Sequence, residues 1–190
     1  MTIMKKVFAF SLLSMSLALV ACGGNKQSEN QETGESIPAA KLVPAKSVSK
    51  EPVVLKDYGA QPTVLDIEEY TLENPNYRTT LWTGKNLQVT LMNIPAGGEI
   101  GLEIHHDIDQ FLRVEAGSGT VYMGDAEDNL DFVKSVEDDD AVFVPAGKWH
   151  NIKNSGEEPL KLYSIYAPKE HEFGTVHIDK AASDADEHHH

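Results

Sequence analysis

Between about Val53 and Tyr166 the chain is cut into short runs of β-type residues by Gly, Pro and Asn turn signals, with hardly a trace of helical period. The runs are Val64 to Tyr70, Thr79 to Thr83, Leu87 to Ile94, Ile100 to His106, Gln110 to Glu115, Thr120 to Gly124, Leu130 to Val136, Ala141 to Val144, His150 to Lys153 and Leu160 to Tyr166. The breaks supply the turn chemistry such strands need: Glu73-Asn-Pro-Asn76, Pro95-Ala-Gly-Gly98, Ala116-Gly-Ser-Gly119, Pro145-Ala-Gly147 and Asn154-Ser-Gly156. That many strands expose too many edges unless the sheets close on each other, so the spacing predicts one all-β domain, a sandwich or barrel, over 53–176. An apolar fraction of 41% with 24% charged residues suits a single ordinary core.

The two ends read differently. Residues 1–21 begin with Lys5 and Lys6 and continue as an apolar run, Val7 to Val20, broken only by Ser11, Ser14 and Ser16. This is an export signal, because a membrane-crossing helix needs about 20 apolar residues. Leu19-Val-Ala-Cys22 resembles the lipobox of bacterial lipoproteins, which implies lipidation at Cys22 and a protein exported to the cell envelope and lipid-anchored to a membrane. Cys22 is the only cysteine, so it has no partner within the chain for a disulfide. Residues 22–52 carry few large apolar side chains and read as a flexible tether. Residues 177–190, ending in three histidines, read as a disordered tail. With 30 acidic against 16 basic residues and a formal charge of -14, the chain has no basic patch to neutralise a phosphate backbone, so nucleic acid is not an expected partner.

Two segments share one build, a Gly- or Pro-rich turn followed by a strand that carries polar ligand types. The first contains Gly97, Glu103, His105, Gln110 and Gly117; the second contains Asp139, Pro145, Gly147, His150 and Asn154. In spacing they resemble the two signature motifs of the cupin superfamily, and the chain as a whole is similar to small single-domain cupins of the mannose-6-phosphate isomerase-like group. The resemblance implies a jelly-roll β-barrel, a homodimer, and one divalent metal ion held at the motif positions. Three positions depart from the pattern. Glu103 stands where the motif has its first histidine, Gln110 where it has glutamate, and Asp139 where the second motif opens with glycine.

Strand alternation supports the same convergence. Residues two apart share a face, so Glu103 and His105 aim into one space while Ile104 and His106 aim away. A one-residue shift of register would instead turn His106 inward. Glu103, His105, Gln110 and His150 together form a set of two imidazoles and two oxygens that suits Mn, Fe, Zn or Ni. Glu103, if not a ligand, is the one evident base. Phe111, Trp149 and Tyr163 are candidates for the pocket wall, and alternation lets only one of Tyr163 and Tyr166 face the cavity. His171 and His177 follow the last run and could fold over the barrel mouth.

There is no phosphate loop, nucleophile elbow, His-Glu-x-x-His helix or paired-cysteine knuckle. The resemblance to cupins then implies metal-dependent action on, or binding of, a small oxygen-rich molecule, of isomerase or dioxygenase type. The alternative is a non-catalytic module that binds carbohydrate or metal at the cell surface.

Overall fold

Strands whose side chains alternate between a buried and a half-exposed face must find a second sheet to cover the buried one. The computed structural model, which describes residues 52–187, shows how this chain does so. The leader 1–21, Cys22 and the tether up to residue 51 lie outside the described residues.

One sheet takes six strands: β1 (Arg78–Thr83), β2 (Gln88–Ile94), β4 (Asp109–Ala116), β7 (Ala141–Val144), β9 (Leu160–Ala167) and β10 (Val176–His177). Their order across the sheet is β10-β1-β2-β9-β4-β7. The other sheet takes β3 (Glu103–Ile104), β5 (Ser118–Gly124), β6 (Phe132–Glu137) and β8 (Trp149–Asn154), in the order β3-β8-β5-β6. Every pairing is antiparallel. The expected all-β barrel is present, a jelly roll of two facing sheets.

The interior is apolar at one end and polar at the other. Met92, Leu162 and Val114 face one another across β2, β9 and β4, among core residues that include Ile94, Leu160 and Ile152. Each such side chain contributes about 1.5–3 kcal/mol by leaving water. Along the same strands the inward row changes character. Gln88 pairs with Tyr166 and Tyr166 with Gln110, and all three are buried. A polar row across three strands is costly unless its groups find partners, which makes that end the candidate for function.

The two motif segments are zipped together bond by bond. Asn154 N donates to Gly98 O at 2.8 Å, Ile100 N to Ile152 O at 2.9 Å, and Gly147 N to His105 O at 2.7 Å. Gly147 makes that bond from a backbone with φ of 80°, a conformation that disfavours any side chain. Asp139, in the glycine position of the second motif, has φ of 72°. Aspartate tolerates this left-handed region better than most residues, and the Asp139 carboxylate also takes a bond from Arg113.

Three expectations need correction. Val64 to Tyr70 is not a strand: α1 spans Ile67–Glu73, and Asp66 caps it by accepting from Glu69 N at 3.2 Å. The Asp-x-x-Glu spacing that starts it is a helix signal that outweighs the β-type residues. Ile100 to His106 holds only the two paired residues of β3, because glycine and turn geometry occupy its start. Residues 177–190 are not a disordered tail over their described part. Val176–His177 pairs with β1, and α2 (Lys180–Glu187) follows, tied back by Arg78 Nη1 to Ser183 Oγ at 2.8 Å and by His177 Nε2 to Asp186 Oδ2 at 3.0 Å.

Asn154 joins the sheets: its Nδ2 donates to Ile94 O and Glu158 O, both at 2.9 Å, and its Oδ1 accepts from Gly156 N at 3.0 Å. Replacing it strands a buried carbonyl, a loss of roughly 1–3 kcal/mol. Asn154→Ala is expected to lower the urea midpoint by a corresponding amount with an unchanged slope; an unaltered midpoint would remove Asn154 as a joint.

Candidate metal centre

The antiparallel register of β3 on β8 sets Glu103 directly opposite His150. His105 follows two residues later on the same side. One side-chain atom from each of the three lies within 4.8 Å of the other two. His150 Nε2 is 3.1 Å from Glu103 Oε1, and His105 Nε2 is 3.4 Å from the same oxygen. The two imidazole rings stand 5.3 Å apart at 53°. His106 is exposed, so the register turns His105 inward.

Each ring stands between two acceptors. His150 Nδ1 lies 3.0 Å from Lys148 O and its Nε2 3.1 Å from Glu103 Oε1, so a neutral ring that donates to the carbonyl turns its Nε2 lone pair toward the carboxylate. His105 Nδ1 faces Glu170 Oε1 at 3.5 Å, again an acceptor. If both rings are neutral and keep those Nδ1 hydrogens, two Nε2 lone pairs and a carboxylate oxygen converge. Such an arrangement is repulsive unless positive charge sits among them, either added protons or a cation.

Protons alone pull the titrations in opposite directions. Burial pushes the Glu103 carboxyl up, but hydrogen bonds and charge from His105 and His150 outweigh it and hold it well below the usual carboxylate range. Burial pushes His105 down, but the hydrogen bond and charge of Glu103 and the charge of Glu170 leave it raised.

The same three donors can hold a metal ion. Donor atoms about 2.0–2.2 Å from an ion, in tetrahedral or octahedral array, stand about 3.0–3.5 Å apart. The two Glu103 to imidazole separations fall in that range.

Gln110 comes from the opposite sheet. It is buried, its Nε2 donates to Ser164 Oγ at 3.0 Å, and its Oε1 is a buried acceptor without a protein donor. That oxygen can serve a guest. Thr90 Oγ1 and His171 Nε2 are likewise buried without a partner.

The pocket wall differs from the expectation. Phe111 and Tyr163 face outward from the six-stranded sheet, where Phe111 packs on Phe143 at 5.1 Å and on Tyr163 at 6.1 Å; Phe143 is 68% exposed. Trp149 alternates with His150 and so faces the other side of its sheet. The tyrosine inside is Tyr166, edge-on to His105 at 5.8 Å and to His171 at 5.2 Å. Leu160 and Leu162 share its parity, and that was the available signal. Burial pushes the Tyr166 hydroxyl up to about 12. Burial, then the Arg78 cation, push His171 down to about 3, so it is a neutral imidazole. His171 and His177 thus belong to the packed structure rather than to solvated loops.

A family model described as the cupin domain matches residues 90–166, which include Glu103, His105, Gln110 and His150. The chain is 57% identical over 129 residues to the uncharacterized protein YrkC of Bacillus subtilis, across 68% of this chain and 69% of that one. It is 36% identical over 124 residues to the uncharacterized protein L612 of Acanthamoeba polyphaga mimivirus, across 65% of this chain and 76% of that one. Among solved structures it is similar to BH2720 from Bacillus halodurans, with a TM-score of 0.68 and 56% identity over 68% of this chain and 98% of that one. The two-sheet jelly roll, the matching domain model and these relatives place the chain in one family: it is a cupin.

Proposed function

We propose that Glu103, His105 and His150 hold one divalent metal ion, and that the protein uses it to bind or convert a small oxygen-rich molecule at the polar end of the barrel. The observation that carries this reading is the meeting of two imidazole Nε2 atoms at one carboxylate oxygen, with the Nδ1 of each ring facing a further acceptor. The donor types suit Mn, Fe, Zn or Ni, with Gln110 as a further oxygen donor. When bound, such an ion would polarise an oxygen of the guest as a Lewis acid.

The protein's own groups orient rather than titrate. Lys148 O sets the His150 ring, and Ser164 holds the Gln110 amide. Tyr166 stays a phenol and His171 stays neutral near neutral pH, so both offer hydrogen bonds and neither trades protons readily. Glu103, held low and engaged by both imidazoles, is a weak base. This shortage of acid–base groups favours a second reading, a non-catalytic module for carbohydrate or metal. Isomerase or dioxygenase chemistry would have to draw on the ion. The leader 1–21 and the context of Cys22 support export and lipid anchoring at the cell envelope.

Protein made without a His tag should carry about one equivalent of metal, falling below about a tenth in His105→Ala and His150→Ala. An equally low content in the wild type would sink the metal reading. Turnover in dioxygen-uptake or sugar-phosphate isomerisation assays of the loaded protein would identify an enzyme; silence in both, with metal retained, would leave the binding module.

Proton competition has a definite sign. His105 is raised, so in the metal-free protein its contribution to stability is fully present below about pH 6.5 and is lost as pH rises through the higher folded value. Metal must displace that proton. Calorimetric titration should show affinity falling as pH drops, with the bend above about 6.5; affinity independent of pH from about 5 to 8 contradicts this.

Cys22→Ser should move the protein out of the membrane fraction. Retention after a salt wash would refute the anchor.

A further inference from the structure

We propose that Glu170 is a positioning residue for His105, set in place by the buried side chain of Gln88; the proposal rests on the reading of the cluster as a metal site. After β9 the chain turns back as a strap, residues 168–175, before β10. The far end of the strap is fixed at Thr175, whose carbonyl accepts from Thr80 N at 2.9 Å, and at Gly174, whose N donates to Asp57 Oδ2 at 3.2 Å. Its middle is gripped by one amide. Gln88 Oε1 accepts from His171 N at 2.8 Å and Glu170 N at 3.3 Å, while its Nε2 donates to His171 O and Thr83 Oγ1, each at 2.9 Å.

Gln88 is fully buried, so this grip is made in a dry setting where an unmade bond is expensive. It holds both the N–H and the carbonyl of His171, leaving the strap little freedom at that point. Two side chains are aimed as a result. His171 lies edge-on to Tyr166, which lies edge-on to His105, and Glu170 brings Oε1 to 3.5 Å from His105 Nδ1. His105 is thus limited from the side by a ring and from behind by a carboxylate.

The chemical effect follows from the two ring nitrogens. An acceptor behind Nδ1 favours the proton there against the pull of Glu103 on Nε2, frees the Nε2 lone pair, and makes the imidazole a stronger donor to a cation. His150 has a backbone carbonyl for the same purpose, that of Lys148 just before its own strand. For His105 the acceptor arrives from the strap, more than sixty residues further along the chain.

The test compares Glu170→Ala, Glu170→Gln and Gln88→Ala with wild type in two measurements: side-chain nitrogen chemical shifts of His105 in metal-free protein, and zinc affinity by competition with a chromophoric chelator. Glu170→Ala should move His105 toward a mixture of tautomers and weaken zinc roughly 10- to 100-fold. Glu170→Gln, which keeps an accepting oxygen, should restore most of both. Gln88→Ala, checked for a native fold by circular dichroism, should weaken zinc with Glu170 intact. Wild-type shifts and affinity in Glu170→Ala overturn the proposal, and unchanged affinity in a folded Gln88→Ala overturns the role of the grip. Wild-type protein that binds no metal would sink the metal reading instead, while the His105 shifts in metal-free protein would still decide Glu170.

Discussion

Everything at the polar end depends on the register of a two-residue strand. β3 pairs only Glu103 with His150 and Ile104 with Trp149, yet a shift of one residue would turn Glu103 and His105 away from the interior and bring Ile104 and His106 in. So short a pairing cannot hold its own register. It is held by its neighbours: Gly98 O and Ile100 N bond to β8 on one side, and His105 O is taken by Gly147 N on the other. The turns rich in glycine and proline are therefore register devices for the charged cluster between them.

The barrel tolerates this cluster because its interior is divided. The apolar rows of β2, β4 and β9 supply the driving force for closing the sheets, and the row of Gln88, Tyr166 and Gln110 begins where they stop. Within that row the amides are put to use. Gln88 makes four bonds, and Gln110 makes one and keeps its oxygen free of protein donors. The first glutamine anchors the strap; the second leaves an acceptor for a guest.

The sequence showed the fold and the heart of the cluster because both rest on local rules. Alternation placed Glu103 and His105 together, and the turn chemistry around Pro145 and Gly147 placed His150. Asp139 looked like a flaw in the second motif and proves to share glycine's backbone conformation. What escaped detection depends on tertiary placement. Tyr163 and Tyr166 differ only in which face of β9 is inside, and Phe111 opposes Leu112 and Val114 on β4 for the same reason. The strap and α2 carry little apolar signal, since side-chain bonds such as Gln88 to His171 and Arg78 to Ser183 hold them, and no periodicity announces such bonds. The helix α1 was legible in Asp66 and Glu69, but the β-type residues around them masked it.

The contact between Glu103 and His150 joins positions 47 apart, and the chain between them contains β4 to β7. A bond made there spans a loop that Gly147 N to His105 O and Ile100 N to Ile152 O already close, so it adds little to the entropy of closure. Neither residue belongs to the apolar cluster that drives the sheets together, so a change at either acts on the polar end before it reaches the core. The cluster is thus a clasp laid on a box that its other bonds already keep shut, so the three side chains owe the barrel little and can be given over to what they hold.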